Sequence, residues 1–239
     1  HPSSVWHLLR RMKWSHQKPQ RVPVERDDEE VERWLTTTLP KVKKGLALEA
    51  TLVWLDEKGF SLVSPLKGSW SPVGETPQIR TSLNHHDRLN LIGALVISPK
   101  GRRLRVRIQS STKTLSGDDI LKYLQAMLSD IAGPIVLVWD NAPIHVHRKK
   151  VQAFIASQPR LQVFQLPRYA PEFNPVEFLW AQVSEHLACR APMSLDELKS
   201  LVHMAVQRSR ASRWRLEACL RGADFSWGRI ASRYLFKTQ

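Results

Sequence analysis

Ile135-Val-Leu-Val-Trp139, followed by Asp140-Asn-Ala-Pro143, is the stretch of sequence that decides the fold. Its apolar residues run without interruption, which is typical of a strand buried on both faces of a sheet. The residue that ends such a strand lies at the carboxyl edge of the sheet, where open α/β sheets bind ligands. Asp140 is therefore a candidate site residue.

Two further carboxylates are expected at the same edge. Thr51-Leu-Val-Trp-Leu55 is another buried apolar run, and we expect its strand to end at Asp56. Glu177 lies in the first turn of a helix that Asn174 and Pro175 open. Like charges a few Å apart repel each other, so three carboxylates at one place favour a bound divalent cation such as Mg²⁺.

Each carboxylate also has a purely structural interpretation. Asp56 and Asp140 can satisfy turns at the ends of their strands. Glu177 occupies the third helical position after Asn174, which is the arrangement of a capping box. Glu172 is a neighbouring candidate, although it precedes the helix on a stretch flanked by prolines.

The charge of the chain points to a polyanionic partner. The 36 lysines and arginines exceed the 22 acidic residues and give a net charge of +14 over 239 residues. Such an excess favours nucleic acid, because neutralised phosphates release their counterions. The two cysteines fit a reducing cytosol, and we expect neither a membrane span nor a signal peptide. The first residue is His, so we expect the natural beginning of the chain to lie upstream.

The order of elements predicts an α/β fold: a mixed sheet flanked by helices, with a short N-terminal helix plus linker and a basic helical C-terminal tail. The predicted strands are 51–55, 59–64, 89–97, 103–109, 135–139 and 161–166. The predicted helices are 3–13, 25–39 before Pro40, 117–131, 146–157, 175–188 and a helical region from Ser194. We expect three parts: an N-terminal helix and linker (1–45), a catalytic domain (46–190) and a C-terminal extension (191–239).

Basic side chains are expected to contact DNA. Arg103, Arg105 and Arg107 alternate with apolar residues, so one face of their strand is cationic. Arg148, Lys149 and Lys150 form a second cluster just after Asp140. Either group can equally be a solvated surface, and phosphate contacts would position a duplex without selecting its sequence.

Three segments resemble the motif blocks of DDE transposases in the mariner-like superfamily, specifically its bacterial insertion-sequence branch. They are Leu52-Val-Trp-Leu-Asp56-Glu57, Val138-Trp-Asp140-Asn-Ala-Pro-Ile-His145 and Tyr169-Ala-Pro-Glu-Phe-Asn174-Pro-Val-Glu177-Phe-Leu-Trp180. The 36 residues between Asp140 and Glu177 also fit that group. The segments 14–19 and 67–77 are similar to family sequence as well.

The resemblance implies an RNase H-like fold. It also implies an enzyme that moves DNA by cut-and-paste, commonly into a TA dinucleotide, and that works at the nucleoid in a prokaryotic cytoplasm. It implies a homodimer on double-stranded DNA that comprises transposon ends and target. It also implies two Mg²⁺ ions, which Mn²⁺ can replace, about 3.5–4 Å apart. In that scheme Asp56 bridges both ions, Asp140 holds one, and Glu177 holds the other.

Residues around the three acids are expected to support them. Asn141, His145 and Asn174 are the candidates, with His145 orienting a water or phosphate. An exposed loop histidine is the alternative for His145.

The chain departs from the family pattern at two places. Relatives usually carry several DNA-reading helices before the catalytic domain, and here only residues 3–13 match the last of them. Relatives often have a lysine where Ser184 stands. Two other functions therefore remain open: a nuclease of the same fold that does not join DNA ends, and an inactive remnant that only binds DNA.

Overall fold

A mixed five-stranded sheet forms the centre of the protein, in the order β3-β2-β1-β4-β5. The computed structural model describes residues 2–16, 23–82, 86–101 and 103–223. β1 pairs antiparallel with β2 and parallel with β4, and β4 pairs parallel with β5. The strands are β1 (Thr51–Ser61), β2 (Arg88–Ile97), β3 (Leu104–Ser111), β4 (Ile135–Trp139) and β5 (Leu161–Gln165).

Helices cover both faces of this sheet. The group α4 to α6 packs on one face, while α3 and the group α7 to α9 pack on the other. The helices are α1 (Pro2–Arg11), α2 (Asp28–Arg33), α3 (Leu39–Ala47), α4 (Gly117–Asp130), α5 (Pro143–Val146), α6 (Lys149–Ala156), α7 (Pro175–Leu187), α8 (Leu195–Arg210) and α9 (Arg213–Gly222). Among the described residues, no helix combines the length and the apolar character needed to cross a membrane.

The prediction that residues 135–139 form a strand buried on both faces is confirmed. All five residues of β4 are buried. Val136 and Val138 pack into the core beneath α7, whereas Ile135, Leu137 and Trp139 pack into the core beneath α4. Because successive side chains of a strand point to opposite faces, the uninterrupted apolar run supplies both cores.

The strands predicted at 51–55 and 59–64 are wrong as separate elements, because one strand, β1, covers the polar residues between them. Asp56 pairs with Gly93, Glu57 with Ile92, and Lys58 with Leu91 on β2. These ladder hydrogen bonds hold the backbone extended where the side-chain pattern alone favours a turn. Asp56 therefore lies within β1 and not at its end.

The helix predicted to stop before Pro40 continues to residue 47. The five residues Trp34–Thr38 form a wider π-helical turn, in which the N–H of Leu39 bonds the carbonyl of Trp34. Proline has no N–H and its ring crowds the preceding turn of an α-helix. A π turn in front of Pro40 accommodates both defects and lets the helix continue into α3.

The helix predicted at 146–157 is wrong in its bounds, because two short helices replace it. Pro143 starts α5 early, in the first position of a helix where proline is favoured. Arg148 then adopts an extended backbone and α6 starts at Lys149. The predicted linker residues 17–22 and the tail residues 224–239 lie outside the described residues.

A tryptophan joins the N-terminal helices to the sheet. Trp34 is buried, its indole Nε1–H donates a 2.7 Å hydrogen bond to the carbonyl of Gln165, and its ring stacks on Phe173 at 5.8 Å. Arg26 forms an ion pair with Glu172 close by. The segment after β5 is thereby fixed by residues that precede the sheet in sequence.

Candidate active site

The three predicted carboxylates line one cavity. This cavity has a volume of about 490 Å³, and its wall includes Asp56, Asp140 and Glu177. The sheet register explains the first two: Trp54 lies beside Val138 on parallel strands, and two residues further along each chain come Asp56 and Asp140. Helix α7 contributes the third.

Asp56 is the most buried of the three acids, with 6% of its surface exposed. The indole Nε1–H of Trp180 donates a 2.8 Å hydrogen bond to its Oδ2. Burial is the main reason that the pKa of Asp56 is raised well above its usual value, and the nearby Glu177 and Glu57 raise it further. An ionised Asp56 is therefore costly unless a positive charge lies beside it.

Asp140 follows β4 directly and is about half exposed, with 47% of its side chain open to solvent. Its Oδ1 accepts a 3.0 Å hydrogen bond from the backbone N–H of Ala142. Next to it, the amide Nδ2 of Asn141 donates to the carbonyl of Leu166 at 2.6 Å. Asn141 thus ties the end of β4 to the segment that forms the opposite wall of the cavity.

Glu177 does not form the capping box that its sequence position allows. Asn174 caps α7 by accepting a 3.1 Å hydrogen bond from the N–H of Val176, and its own N–H bonds the carbonyl of Pro171. The carboxylate of Glu177 instead lies 3.5 Å from Nζ of Lys58 and lines the cavity. The capping interpretation of Glu177 is therefore wrong.

His145 is completely buried, so the interpretation as an exposed loop histidine is wrong. Its ring stacks on Trp139 at 4.3 Å. Nε2 lies 2.9 Å from a carboxylate oxygen of Glu57, and Nδ1 lies 3.4 Å from Oδ1 of Asp140. Burial alone would lower the pKa of His145, but the hydrogen bond and charge of Glu57, together with Asp140, outweigh it and raise that pKa.

A second set of potential metal ligands overlaps the first. Ligand atoms of Glu57, Asp140 and His145 lie within 4.8 Å of one another. In this set the imidazole and Glu57 already satisfy each other by a hydrogen bond. Asp140 belongs to both sets. The hydrogen-bonded pair of Glu57 and His145 is therefore placed to orient the carboxylate of Asp140.

Sequence reasoning missed several residues of the cavity wall. Arg168, Tyr169 and His147 line the cavity and are exposed. Tyr169 has φ +55°, a left-handed conformation that is uncommon for residues other than glycine and clusters at functional sites. No local pattern marks such a backbone in a tyrosine, so only the fold identifies it. Glu172, the alternative acid, does not line this cavity and pairs with Arg26.

The predicted basic residues occupy different environments. Arg103 and Arg105 are exposed, whereas Arg107 forms an ion pair with Asp130 and lies 6.0 Å from the centre of the Tyr123 ring. Arg148 and Lys149 are exposed at the start of α6. Lys150, also exposed, lies 3.4 Å from Asp118.

Comparison with known proteins places this site in a family. Residues 51–199 match the family model for DDE superfamily endonucleases, and residues 1–38 match the model for a winged helix-turn-helix. The second match covers the segment in which the last helix of a DNA-reading region was expected. Among curated proteins, no sequence matches this chain.

Solved structures of the Mos1 transposase are similar in fold. The Mos1 strand transfer complex is 20% identical, with 98% of this chain and 68% of that chain covered and a TM-score of 0.63. The Mos1 mariner paired end complex with Mn is 16% identical, with coverage of 93% and 71% and a TM-score of 0.59. The corresponding complex with Mg has the same identity and coverage and a TM-score of 0.58.

This likeness confirms the predicted RNase H-like architecture, a mixed sheet flanked by helices. The endonuclease model spans more than half of the sequence and includes all three cavity carboxylates. The chain therefore belongs to the DDE superfamily of endonucleases.

Proposed function

We propose that this chain is a DNA transposase of the bacterial insertion-sequence branch, which cleaves phosphodiester bonds and transfers strands in cut-and-paste movement. The observation that carries the proposal is that Asp56, Asp140 and Glu177 line one cavity in a DDE endonuclease. The similar Mos1 chain was crystallised as a strand transfer complex, which supports the joining step as well as cleavage.

The donor set fits Mg²⁺. All three side chains offer carboxylate oxygens, which hard divalent cations prefer, and the buried Asp56 needs a neighbouring positive charge to ionise. We propose two Mg²⁺ ions, for which Mn²⁺ can substitute, and Asp56, Asp140 and Glu177 would hold them. When bound, such ions activate the attacking water or 3′-hydroxyl and stabilise the leaving oxygen.

The remaining residues of the site position these acids. Trp180 holds one oxygen of Asp56, and Asn174 fixes the start of α7, so that Glu177 projects into the cavity. Arg168 adds a positive charge at the cavity wall, where it can neutralise a phosphate of the DNA. His145 supports Asp140 from the buried side.

Double-stranded DNA is the proposed partner, as transposon end and as target, with a homodimer assembled on it at the nucleoid. The net charge of +14 supports a polyanionic partner. Within this scheme residues 1–45 derive from a DNA-reading region, 46–190 carry catalysis, and 191–239 form a basic extension. The exposed Arg103, Arg105, Arg148 and Lys149 are the proposed phosphate contacts.

The proposal is tested by measuring nicking and strand joining on supercoiled plasmid with Mg²⁺ or Mn²⁺. The native protein is compared with Asp140→Asn, which keeps the side-chain shape but removes its charge, and with Asp196→Asn, an exposed acid on α8, as the control. We expect Asp140→Asn to lose nicking by orders of magnitude while it still binds DNA. Nicking and joining should be unchanged in Asp196→Asn.

Three other results would contradict the proposal. Cleavage without joining of a 3′-hydroxyl end would identify a nuclease of the same fold. Normal DNA binding by a native protein that is inert with both metals would identify an inactive remnant. Equal activity in all three proteins would remove Asp140 from the catalytic site.

A further inference from the structure

A second polar cavity, of about 280 Å³, lies where α7, α8 and α9 meet. Three arginines line it: Arg190 follows α7, Arg208 lies on α8, and Arg215 lies on α9. The imidazole of His186 on α7 also lines the cavity. Neither the cavity nor its arginines belong to the carboxylate site or to the basic residues named above.

The positive charge of this cavity is only partly neutralised by its own lining. Across the described ranges, no carboxylate forms an ion pair with Arg190, Arg208 or Arg215. Glu185 is the one acid among the described lining residues, and it pairs with Lys67 at 2.8 Å. Lys67 lowers the pKa of Glu185, and the charges of Arg215 and Arg208 lower it further, but the three arginines outnumber this single carboxylate. Three guanidinium groups held around one small cavity repel each other, and an anion between them would relieve that repulsion.

The cavity is held in place by a hydrogen-bonded side chain. Gln182 of α7 accepts a 2.9 Å hydrogen bond from the hydroxyl of Ser209 on α8. Its amide Nε2 donates to the backbone carbonyl of Arg215 on α9, also at 2.9 Å. One glutamine thus fixes the three helices that present the arginines, so the site is formed before any ligand arrives.

His186 offers an unused hydrogen-bonding atom in the same place. Its Nε2 is buried and has no hydrogen-bond partner within the described part of the chain. Burial, and then the charges of Arg190, Arg208 and Arg215, lower the pKa of His186, which favours the neutral ring. A neutral imidazole can donate one N–H to an anion, and buried polar atoms without partners are rare in proteins.

We propose that this cavity binds a phosphate group of the DNA backbone. Guanidinium groups form charge-assisted hydrogen bonds with phosphate oxygens, and three of them with one imidazole suit a tetrahedral oxyanion. That the phosphate comes from DNA rests on the proposed function, whereas the anion site itself rests only on the cavity.

The cavity is separate from the carboxylate site. His186 lies nine residues after Glu177 on the same helix, which corresponds to about 13–14 Å along the axis. Nine residues are also about two and a half turns of an α-helix, so His186 and Glu177 lie on opposite sides of α7. The cavity therefore takes a phosphate other than the reacting one.

The test compares two double variants that remove the same charge. Arg208→Gln with Arg215→Gln empties the cavity of two guanidinium groups, while Lys122→Gln with Lys199→Gln removes two exposed cations elsewhere. Affinity for a fluorescent duplex is measured without divalent metal, between about 50 and 200 mM salt. Cleavage plays no part in this measurement, so a failure of the proposed catalytic function would not alter its result.

We expect the arginine variant to bind DNA at least about 10-fold more weakly and to lower the salt slope by about 1, as loss of one phosphate contact requires. The lysine variant should change both quantities much less. Equal losses in the two variants would overturn the proposal, because they would reflect net charge alone. Thermal unfolding checks each fold, and Arg190→Gln, a change at an exposed residue, replaces the double variant if that variant unfolds.

Inorganic phosphate provides the second arm. We expect it to shift the NMR resonances of the His186 ring in the native protein and not in the arginine variant. A shift in the native protein combined with unchanged DNA affinity in the arginine variant would assign the site to free phosphate and overturn the DNA assignment. No shift in the native protein would overturn the anion site itself.

Discussion

The indole of Trp180 and the carboxylate of Asp56 form a 2.8 Å hydrogen bond between α7 and β1, beside the cavity that Asp56 and Glu177 line. Both side chains are buried. The bond partly offsets the burial that raises the pKa of Asp56, because it favours the charged form of the carboxylate. One residue of α7 thus orients an acid of the sheet, while Glu177, three positions earlier, supplies another.

Trp180→Phe should weaken catalysis without removing a carboxylate. Phenylalanine keeps most of the packing but cannot donate to Asp56, so that carboxylate loses its orientation. We expect metal-dependent nicking to fall by about 10- to 100-fold, the usual range for residues that orient metal ligands. Trp214→Phe, at a 68% exposed position, is the control. If the two variants nick plasmid equally well, the indole does not orient Asp56.

Asp56→Asn should stabilise the metal-free protein at neutral pH. Because the folded-state pKa of Asp56 is raised, the folded protein binds this proton more tightly than the unfolded chain does. The native protein therefore loses stability as pH rises from the ordinary carboxyl pKa to the raised one, while Asp56→Asn does not. Urea unfolding with a chelator, over a pH series, measures the difference.

Two comparisons make the Asp56→Asn measurement decisive. Asp196→Asn, at an exposed position, should follow the pH dependence of the native protein. Added Mg²⁺ should stabilise the native protein more than Asp56→Asn, since ligand binding to the folded state adds stability. Parallel pH curves for native and Asp56→Asn proteins would show that the carboxyl titrates normally.

Gly93→Ala should displace Trp180. A Cβ at Gly93, the residue paired with Asp56, would overlap Cη2 of that indole. Such overpacking typically costs about 1–3 kcal/mol, and we expect lower stability together with reduced nicking. Gly68→Ala is the control, because no atom of the described residues lies within 4 Å of a Cβ added there. Native nicking activity in Gly93→Ala would mean that displacement of the Trp180 indole does not affect catalysis.

Glu57→Gln and His145→Asn should each lower Mn²⁺ affinity by about 10- to 100-fold, because both act on Asp140 through one chain of contacts. The double variant should be little worse than either single one, since residues of one network are not additive. Calorimetric titration measures the affinity, with His203→Gln, an exposed histidine, as control. If the losses of affinity in the two single variants add up fully in the double variant, Glu57 and His145 act on Asp140 independently.

Replacing Arg105 and replacing Arg107 should have different effects, although both residues lie on the same face of β3. Arg107 pairs with Asp130 and lies beside Tyr123, so Arg107→Ala should mainly lower the unfolding temperature. Arg105 is exposed, so Arg105→Ala should weaken binding of all DNA sequences about equally and leave stability unchanged. Thermal unfolding and duplex binding on the same preparations distinguish them. Equal effects on both properties would contradict this division.

The elements that could be predicted were those whose pattern is local. The apolar run of β4 and the Asn174-Pro175 start of α7 locate two of the cavity carboxylates without a structure. The course of β1 through Asp56 could not be predicted, because pairing with β2 and the bond from Trp180 hold that polar stretch.

Contacts between distant parts of the chain account for the rest. Glu57 and His145 are 88 residues apart in sequence, and neither residue has a periodic pattern that indicates their contact. The left-handed backbone of Tyr169 is set by its position in the cavity wall, not by its residue type. A sequence thus indicates which acids are present but not which side chains orient them.

The hydrogen bond from Trp34 to Gln165 has a practical consequence for dissecting the protein. Val31, Trp34, Leu39 and Val42 belong to the same buried core as β1 and α7. A fragment that begins at residue 46 would expose this part of the core to solvent. It would also strip Phe173 and Glu172 of their partners, one turn before the helix that carries Glu177. Any catalytic fragment meant to stay folded should therefore begin no later than Arg26.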